Sequence, residues 1–251
     1  MAALNYDLHN VVNFGTNHCL KLNSDKSIAV IFGGRMERHR FIDDYSGLIQ
    51  IQNREIKVTN IIKNLGLYID NDLRFTEHIT KCLQKAYCNL RLIFQQRHVF
   101  VLSHFNYCDG VYSPCLTEYD SRRIQKVQNS CLRLIFGVRK YDHISSKLIE
   151  NNWLSMSPRR YLHMTCQYHT ILQNRAPSYL YRKIRFRTDV HNINIRFKGK
   201  LTIPRHNLHL YKRSFSYNIA SLMNSFTEET LSMSKFRFKR YVFNSLSRIP
   251  K

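Results

Sequence analysis

Apolar positions along the chain change their period near residue 75. Before it they fall in short groups. Leu4, Leu8, Val11 and Val12 lie at helical spacing between Asn and His residues and predict a helix over 3–18. Asn23-Ser24-Asp25 reads as a turn, and Ile28–Phe32 as a short buried strand closed by Gly33-Gly34. "LIQIQNREIKV" (48–58) predicts a hairpin: Leu48, Ile49 and Ile51, a turn at Gln52–Glu55, then Ile56 and Val58. Leu65 to Ile69 reads as a further buried strand, running into Asp70 and Asp72.

Beyond that point the period is 3.6. Thr76 caps a helix with Glu77 in its first turn; Ile79, Leu83, Ala86, Leu90 and Ile93 or Phe94 mark its inner face. Lys81, Lys85 and Arg91 lie off that face. A second helix starts near Thr117, carries Ile124, Val127, Cys131, Leu134 and Ile135 as its stripe, and stops at Gly137. A third begins at Ser157-Pro158 and runs to about Asn174. The remaining 75 residues have patchier periodicity. The pattern predicts an α+β chain. A small sheet at 1–75 is followed by a mainly helical bundle at 76–176 and a basic, mixed region at 177–251.

Composition sharpens this picture through charge. The 251 residues hold 39 Lys and Arg against 17 Asp and Glu, a formal +22, with 43% apolar and 12% aromatic residues. Residues 1–75 account for +1 of this and residues 76–251 for +21. An excess of that size points to a polyanionic partner, nucleic acid or an acidic membrane surface. The seven Cys form no tight pairing pattern, and no secretory signal or membrane span is visible. A reduced intracellular compartment, nuclear or cytoplasmic, is expected, with the Cys mostly filling the core.

Three groups of residues invite a chemical reading. Asp70 and Asp72 share a face if extended and could hold a cation. Asn71 between them and the helix cap beyond favour a strand-to-helix turn. "FIDDY" (41–45) has the form of a metal-binding acidic box, yet it follows "RMERHR" with no strong strand on either side, so a loop is expected. His163, Cys166 and His169 share one side of a helix without the paired spacing of a zinc site, so half-buried packing is expected. The basic segments carry more weight. Arg122, Lys126, Asn129 and Arg133 form a polar stripe opposite the apolar one. "YLYRKIRFR" (179–187) and "KFRFKRY" (235–241) alternate basic with aromatic residues. Cations of this kind neutralise phosphates while rings stack on bases or fill a core.

The order of several segments adds a resemblance. "LKLNSDKSIAVIF", a hairpin, and then "KNLGLYIDNDLRFTEHI" resemble the region after the catalytic box in reverse transcriptases of jockey-like non-LTR retrotransposons. "LSHFNYCDGVY", "RIQKVQNSCLRLIFG", "WLSMSPRRYLH" and "IPRHNLHLYKRSFSYNIASLMNS" are similar, in the same order, to the family's post-polymerase region. The likeness spans essentially the whole chain. There are departures: Phe14 stands where the family usually has Trp, and its "W-N-x-L-P" reads Met223-Asn224-Ser225-Phe226-Thr227. The link Gln95–Phe100 is about a helix shorter than the family's, which implies apolar faces left without a partner.

The resemblance implies a palm remnant at 1–75, a thumb-like bundle at 76–176, and the role of gripping primer–template. It places the metal-holding acids upstream of Met1 and Asp43-Asp44 outside the catalytic box. No site in the chain is therefore expected to be catalytic or to bind metal, and Mg2+ is expected only for a complete polymerase. RNA and DNA, together with the palm and fingers of the parent polyprotein, are the implied partners; a membrane is not. Lys57, Lys63, Arg122, Lys126 and Arg133 are the candidate phosphate contacts. The alternative is a non-enzymatic, basic nucleic-acid-binding protein derived from a decayed element.

Overall fold

The first helix forms where apolar spacing predicts it, α1 (Ala2–Asn17), and the chain then turns through Ser24–Lys26, where the Asn23 side chain accepts from Lys26 N at 3.2 Å. The computed structural model describes residues 2–45, 49–90, 97–190 and 199–247, and over these the protein is α+β and mainly helical. It divides into two units, residues 1–78 and 79–251.

In unit 1 the sheet is broken into three small pairs. β1 (Ile28–Ala29) pairs in parallel with β4 (Lys57–Val58). Between them lie α2 (Arg35–Tyr45) and an antiparallel hairpin, β2 (Gln50–Ile51) with β3 (Arg54–Glu55). A second hairpin joins β5 (Ile61–Asn64) to β6 (Leu67–Asp70), with Lys63 opposite Tyr68. Ile49, Ile51 and Ile56 are buried against Leu8, Val12 and Phe41, so the hairpin expected at 48–58 packs on α1. Its turn is only Gln52-Asn53, both at positive φ (52° and 61°), which matches the twist of a two-residue hairpin. Leu48 lies outside the described residues.

Three expectations are corrected here. The buried strand 28–32 is only two residues long, and Ile28 and Phe32 are exposed because nothing but β4 pairs with it. Leu65 is not inside a strand: it forms the β5–β6 turn with Gly66, at φ 47° and 86% exposed. "FIDDY" is not a loop but the end of α2, whose start is steadied by the Glu37 carboxylate accepting from Gly34 N at 3.3 Å.

Unit 2 is built from helices that bury one face. α3 (Thr76–Leu90), whose first turn contains the boundary between the units, buries Ile79, Leu83, Ala86 and Leu90 as predicted. Ile93, Phe94 and Arg91 lie outside the described residues. α4 (Arg97–Asn106) and the single turn α5 (Asp109–Tyr112) follow. α6 (Glu118–Phe136) has the predicted caps: Thr117 Oγ1 accepts from Asp120 N at 3.1 Å, and Gly137 at φ 64° donates to the Arg133 carbonyl. Its stripe drifts, however. Ile124, Val127 and Cys131 are buried, but Leu132 takes the inner place expected for Leu134, which is exposed.

After α7 (Ser145–Glu150) comes α8 (Met156–Asn174), capped at Ser155 rather than Ser157, so that Pro158 sits in its first turn without blocking a needed N–H. α8 is the hub, packing against α5, α6, α11 (Phe215–Met223) and α13 (Lys235–Ser247). Two short turns, α9 (Ser178–Tyr181) and α10 (Arg187–Val190), precede α11, and α12 (Glu228–Ser232) precedes α13. Met164 and Tyr168 on α8 bury against Ile184, Leu201, Ile219 and Met223; Leu162 buries against Phe238 and Val242. No helix among the described residues is long and apolar enough to cross a membrane.

Candidate nucleic-acid interface

Two exposed helix faces and a buried polar network define the site. The network ties α6 to α8, and α13 packs on α8. Asp109, 1% exposed, sits at the first residue of α5, and its Oδ2 lies 2.5 Å from His163 Nδ1 on α8. Tyr112 Oη donates to the Phe105 carbonyl, and burial together with the nearby Asp109 pushes its phenol well above the ordinary range. Arg159 Nε donates to Asn106 Oδ1 at 3.3 Å, and Arg160 Nη2 to Ser121 Oγ at 2.9 Å, tying α8 to α4 and α6. Gly110 suits its place beside this network, because a methyl group there would run into the Gln167 side chain. α6 holds the start of α8 through Gln125 Oε1, which accepts from Met156 N at 2.8 Å, and Gln128 Nε2, which donates to the Leu154 carbonyl at 2.9 Å.

On the outer face of α6, Arg122 and Lys126 are exposed, as the stripe predicts. Arg122 reaches Glu118 only at 3.4 Å between two exposed side chains, an ion pair worth about 0–1 kcal/mol. The stripe does not continue as expected. Asn129 accepts from Gln125 Nε2 at 2.9 Å, and the Arg133 guanidinium donates to the carbonyls of Arg139 and Asp142 at 3.3 Å each. Arg133 therefore holds the loop after the helix, a role in which its charge also suits the helix C-terminus. Lys57 on β4 and Lys63 on β5, in unit 1, are both exposed, with Lys63 Nζ 5.6 Å from the centre of the Tyr68 ring.

The second face was visible in sequence only as an alternation. "KFRFKRY" winds into α13, whose inner side carries Phe238, fully buried and stacked at 4.1 Å on His169. Turned outward are Lys235, Arg237, Lys239 and Arg240, with Phe236 (74% exposed) and Tyr241 between them. No acid lies in α13. Phe236 and Arg240, and Arg237 and Tyr241, are each four residues apart, so cations and rings share one surface. These four cations were absent from the candidate phosphate contacts; the helical spacing of Phe238 and Val242 was the signal that would have separated inner from outer ring.

The candidate metal groups are engaged otherwise. Asp70 Oδ1 accepts from Arg74 N at 2.7 Å, the turn favoured by the sequence, and Asp72 pairs with Arg38 at 2.6 Å. His169 Nε2 donates to the Leu231 carbonyl at 3.0 Å, and burial holds its imidazole below the ordinary pKa. Cys166 is half-buried, its thiol pushed up by burial. Among the described residues no group of three His, Cys, Asp or Glu side chains is placed to hold a metal ion. Cys82, Cys115 and Cys131 fill the core, with Cys82 pushed up to about 11 by burial, whereas Cys19 and Cys88 are exposed.

No family model matches the chain, and no curated protein and no solved structure matches it.

Proposed function

We propose that this chain is the nucleic-acid-gripping, C-terminal part of a non-LTR retrotransposon reverse transcriptase, binding primer–template through the cations of α13 and α6. One observation carries the reading. Residues 1–78 hold 9 Lys and Arg against 9 Asp and Glu, while residues 79–251 hold 30 against 8, and the exposed face of α13 joins four of those cations to two rings. That combination neutralises phosphates and stacks on unpaired bases.

The order of sequence segments supports the family. So does the apolar surface of unit 1, where Val11, Phe14, Leu20, Ile28 and Phe32 are exposed. The resemblance would cover such a surface with the rest of a palm. No catalytic role is assigned to Asp70 and Asp72, which serve a turn and an ion pair.

Binding of a labelled RNA–DNA primer–template by the full chain tests the proposal. Affinity should fall with salt along a log–log slope of roughly −0.7 to −0.9 per neutralised phosphate. Metal-dependent primer extension by the pure chain, abolished by Asp43→Asn/Asp44→Asn, would contradict a role limited to binding.

A further inference from the structure

A cleft of about 920 Å³ lies in unit 2, lined by no residue of α6 or α13. One wall is a short antiparallel pairing in which Phe186 faces Leu201, Thr202 N donates to the Arg185 carbonyl at 2.8 Å and Arg187 N to the Lys200 carbonyl at 3.0 Å. The Asn224 side chain fixes that wall, accepting from Leu201 N at 2.8 Å and donating to Leu201 O at 2.9 Å. The other wall is the start of α11 with the turn His209–Arg213 before it.

The lining separates into two chemistries. The floor is apolar, with buried Leu201, Ile219 and Ala220 beside Phe215, and Tyr211 is exposed at the edge. Arg182, Lys183, Arg185 and Arg205 also line the cleft; all four are exposed, and no Asp or Glu lines it with them. Among the described residues none of the four has an acidic partner. Four like charges around one concavity repel one another and focus a positive field into it, which an anion would relieve. Guanidinium groups match the geometry of phosphate oxygens. The volume falls in the range of small-molecule sites rather than of a lone inorganic ion. The fitting ligand is therefore planar and apolar at one end, anionic at the other, and free of positive charge.

We infer that this cleft seats one phosphorylated nucleoside, its base on the floor against Phe215 and Tyr211 and its phosphate between Arg182, Arg185 and Arg205. The source is a nucleotide of a single strand or a free nucleotide. The strand arm rests on the nucleic-acid reading above; the nucleotide arm stands on the cleft alone.

The test uses the full chain, adenosine monophosphate titrated by calorimetry, and a fluorescein-labelled 12-mer of oligothymidylate followed by anisotropy. Arg182→Ala/Arg185→Ala/Arg205→Ala should weaken adenosine monophosphate roughly tenfold or more, the loss expected when charge-assisted hydrogen bonds are removed. Lys at the same three positions should restore part of it, which a misfolded variant would not do. Arg237→Ala/Arg240→Ala on α13 should weaken the 12-mer and leave adenosine monophosphate unchanged. Displacement of the nucleotide by unlabelled 12-mer supports the strand as source; a nucleotide that binds without being displaced supports the free form.

The inference is overturned if inorganic pyrophosphate competes as well as adenosine monophosphate, which would make this an anion site without a base. Binding to phosphatidylserine vesicles that depends on the three arginines, with no nucleotide bound, overturns it in favour of a lipid. A chain that binds the 12-mer through α13 but no nucleotide in the cleft loses this inference and keeps the proposed function. A chain that binds neither loses both.

Discussion

Residues 1–78 and residues 79–251 solve the problem of burying apolar surface in different ways. Unit 1 has strands of two to four residues in three separate pairs, and leaves Phe14, Leu20, Ile28 and Phe32 in solvent. Unit 2 has long amphipathic helices gathered around α8, and Val101, Phe105, Ile124, Leu132 and Phe238 are 0–1% exposed. Charge divides along the same line, zero net against +22. Unit 2 joins a large core to a basic exterior, whereas unit 1 buries a small cluster around Ile49, Ile51 and Ile56 and is electrically neutral.

Paired substitutions sharpen the contrast. Among polar groups the largest effect is expected at the buried Asp109 carboxylate of unit 2, which hydrogen-bonds His163. Asp109→Ala removes the hydrogen-bond partner of His163 and the carboxylate beside Arg159 and Arg160, and should cost about 1–3 kcal/mol in urea unfolding. The exposed pair Arg54–Asp25 in unit 1, at 2.6 Å, should respond to Asp25→Ala by no more than about 0.5 kcal/mol. Equal losses at the two sites would erase the distinction.

The same comparison can be made with one residue type. Phe238→Ala removes a fully buried ring from between His169 and Phe226 and should destabilise by about 3–5 kcal/mol. Phe14→Ala removes a ring that is 61% exposed and stacked only on His18 at 4.0 Å, and should change stability by about 0.5 kcal/mol or less. A large loss at Phe14 would mean that its face is covered in solution.

A gentler effect concerns pH. Burial holds His169 and His104 below their ordinary value of 6.5, with Lys85 adding to the shift at His104. The unfolded chain therefore takes up protons near pH 6.5 that the folded unit resists. Stability should fall as pH drops through and below 6.5, and be insensitive to these groups well above it. His169→Gln should flatten the acid-side slope of the melting temperature; an unchanged slope would place the origin elsewhere.

Much of this architecture could be read from sequence, and the exceptions share a cause. α3 and α6 were legible because their apolar spacing runs for three turns or more, α6 with Thr117 and Gly137 in capping positions, and α8 because Ser157-Pro158 marks its first turn. The hairpin at 48–58 was legible from its alternation. α2 was not, since "RMERHRFIDDY" has no apolar stripe to mark a face. Leu65 was misplaced because a turn residue at positive φ leaves no trace in hydropathy. The polar network joins Asp109 to His163 and Ser121 to Arg160 across 54 and 39 residues, and no local period reports such pairs. On α6, Arg122 and Lys126 are exposed as expected, whereas Arg133 donates to carbonyls that only the folded loop brings near.

The most direct test of the central account is the salt dependence of primer–template binding by the full chain and by Arg237→Ala/Arg240→Ala. The account predicts a steep negative log–log slope that becomes shallower by about 1.5 in the variant, because each arginine neutralises one phosphate worth roughly 0.7–0.9 of slope. An affinity indifferent to salt, or a slope that the variant leaves intact, would contradict it.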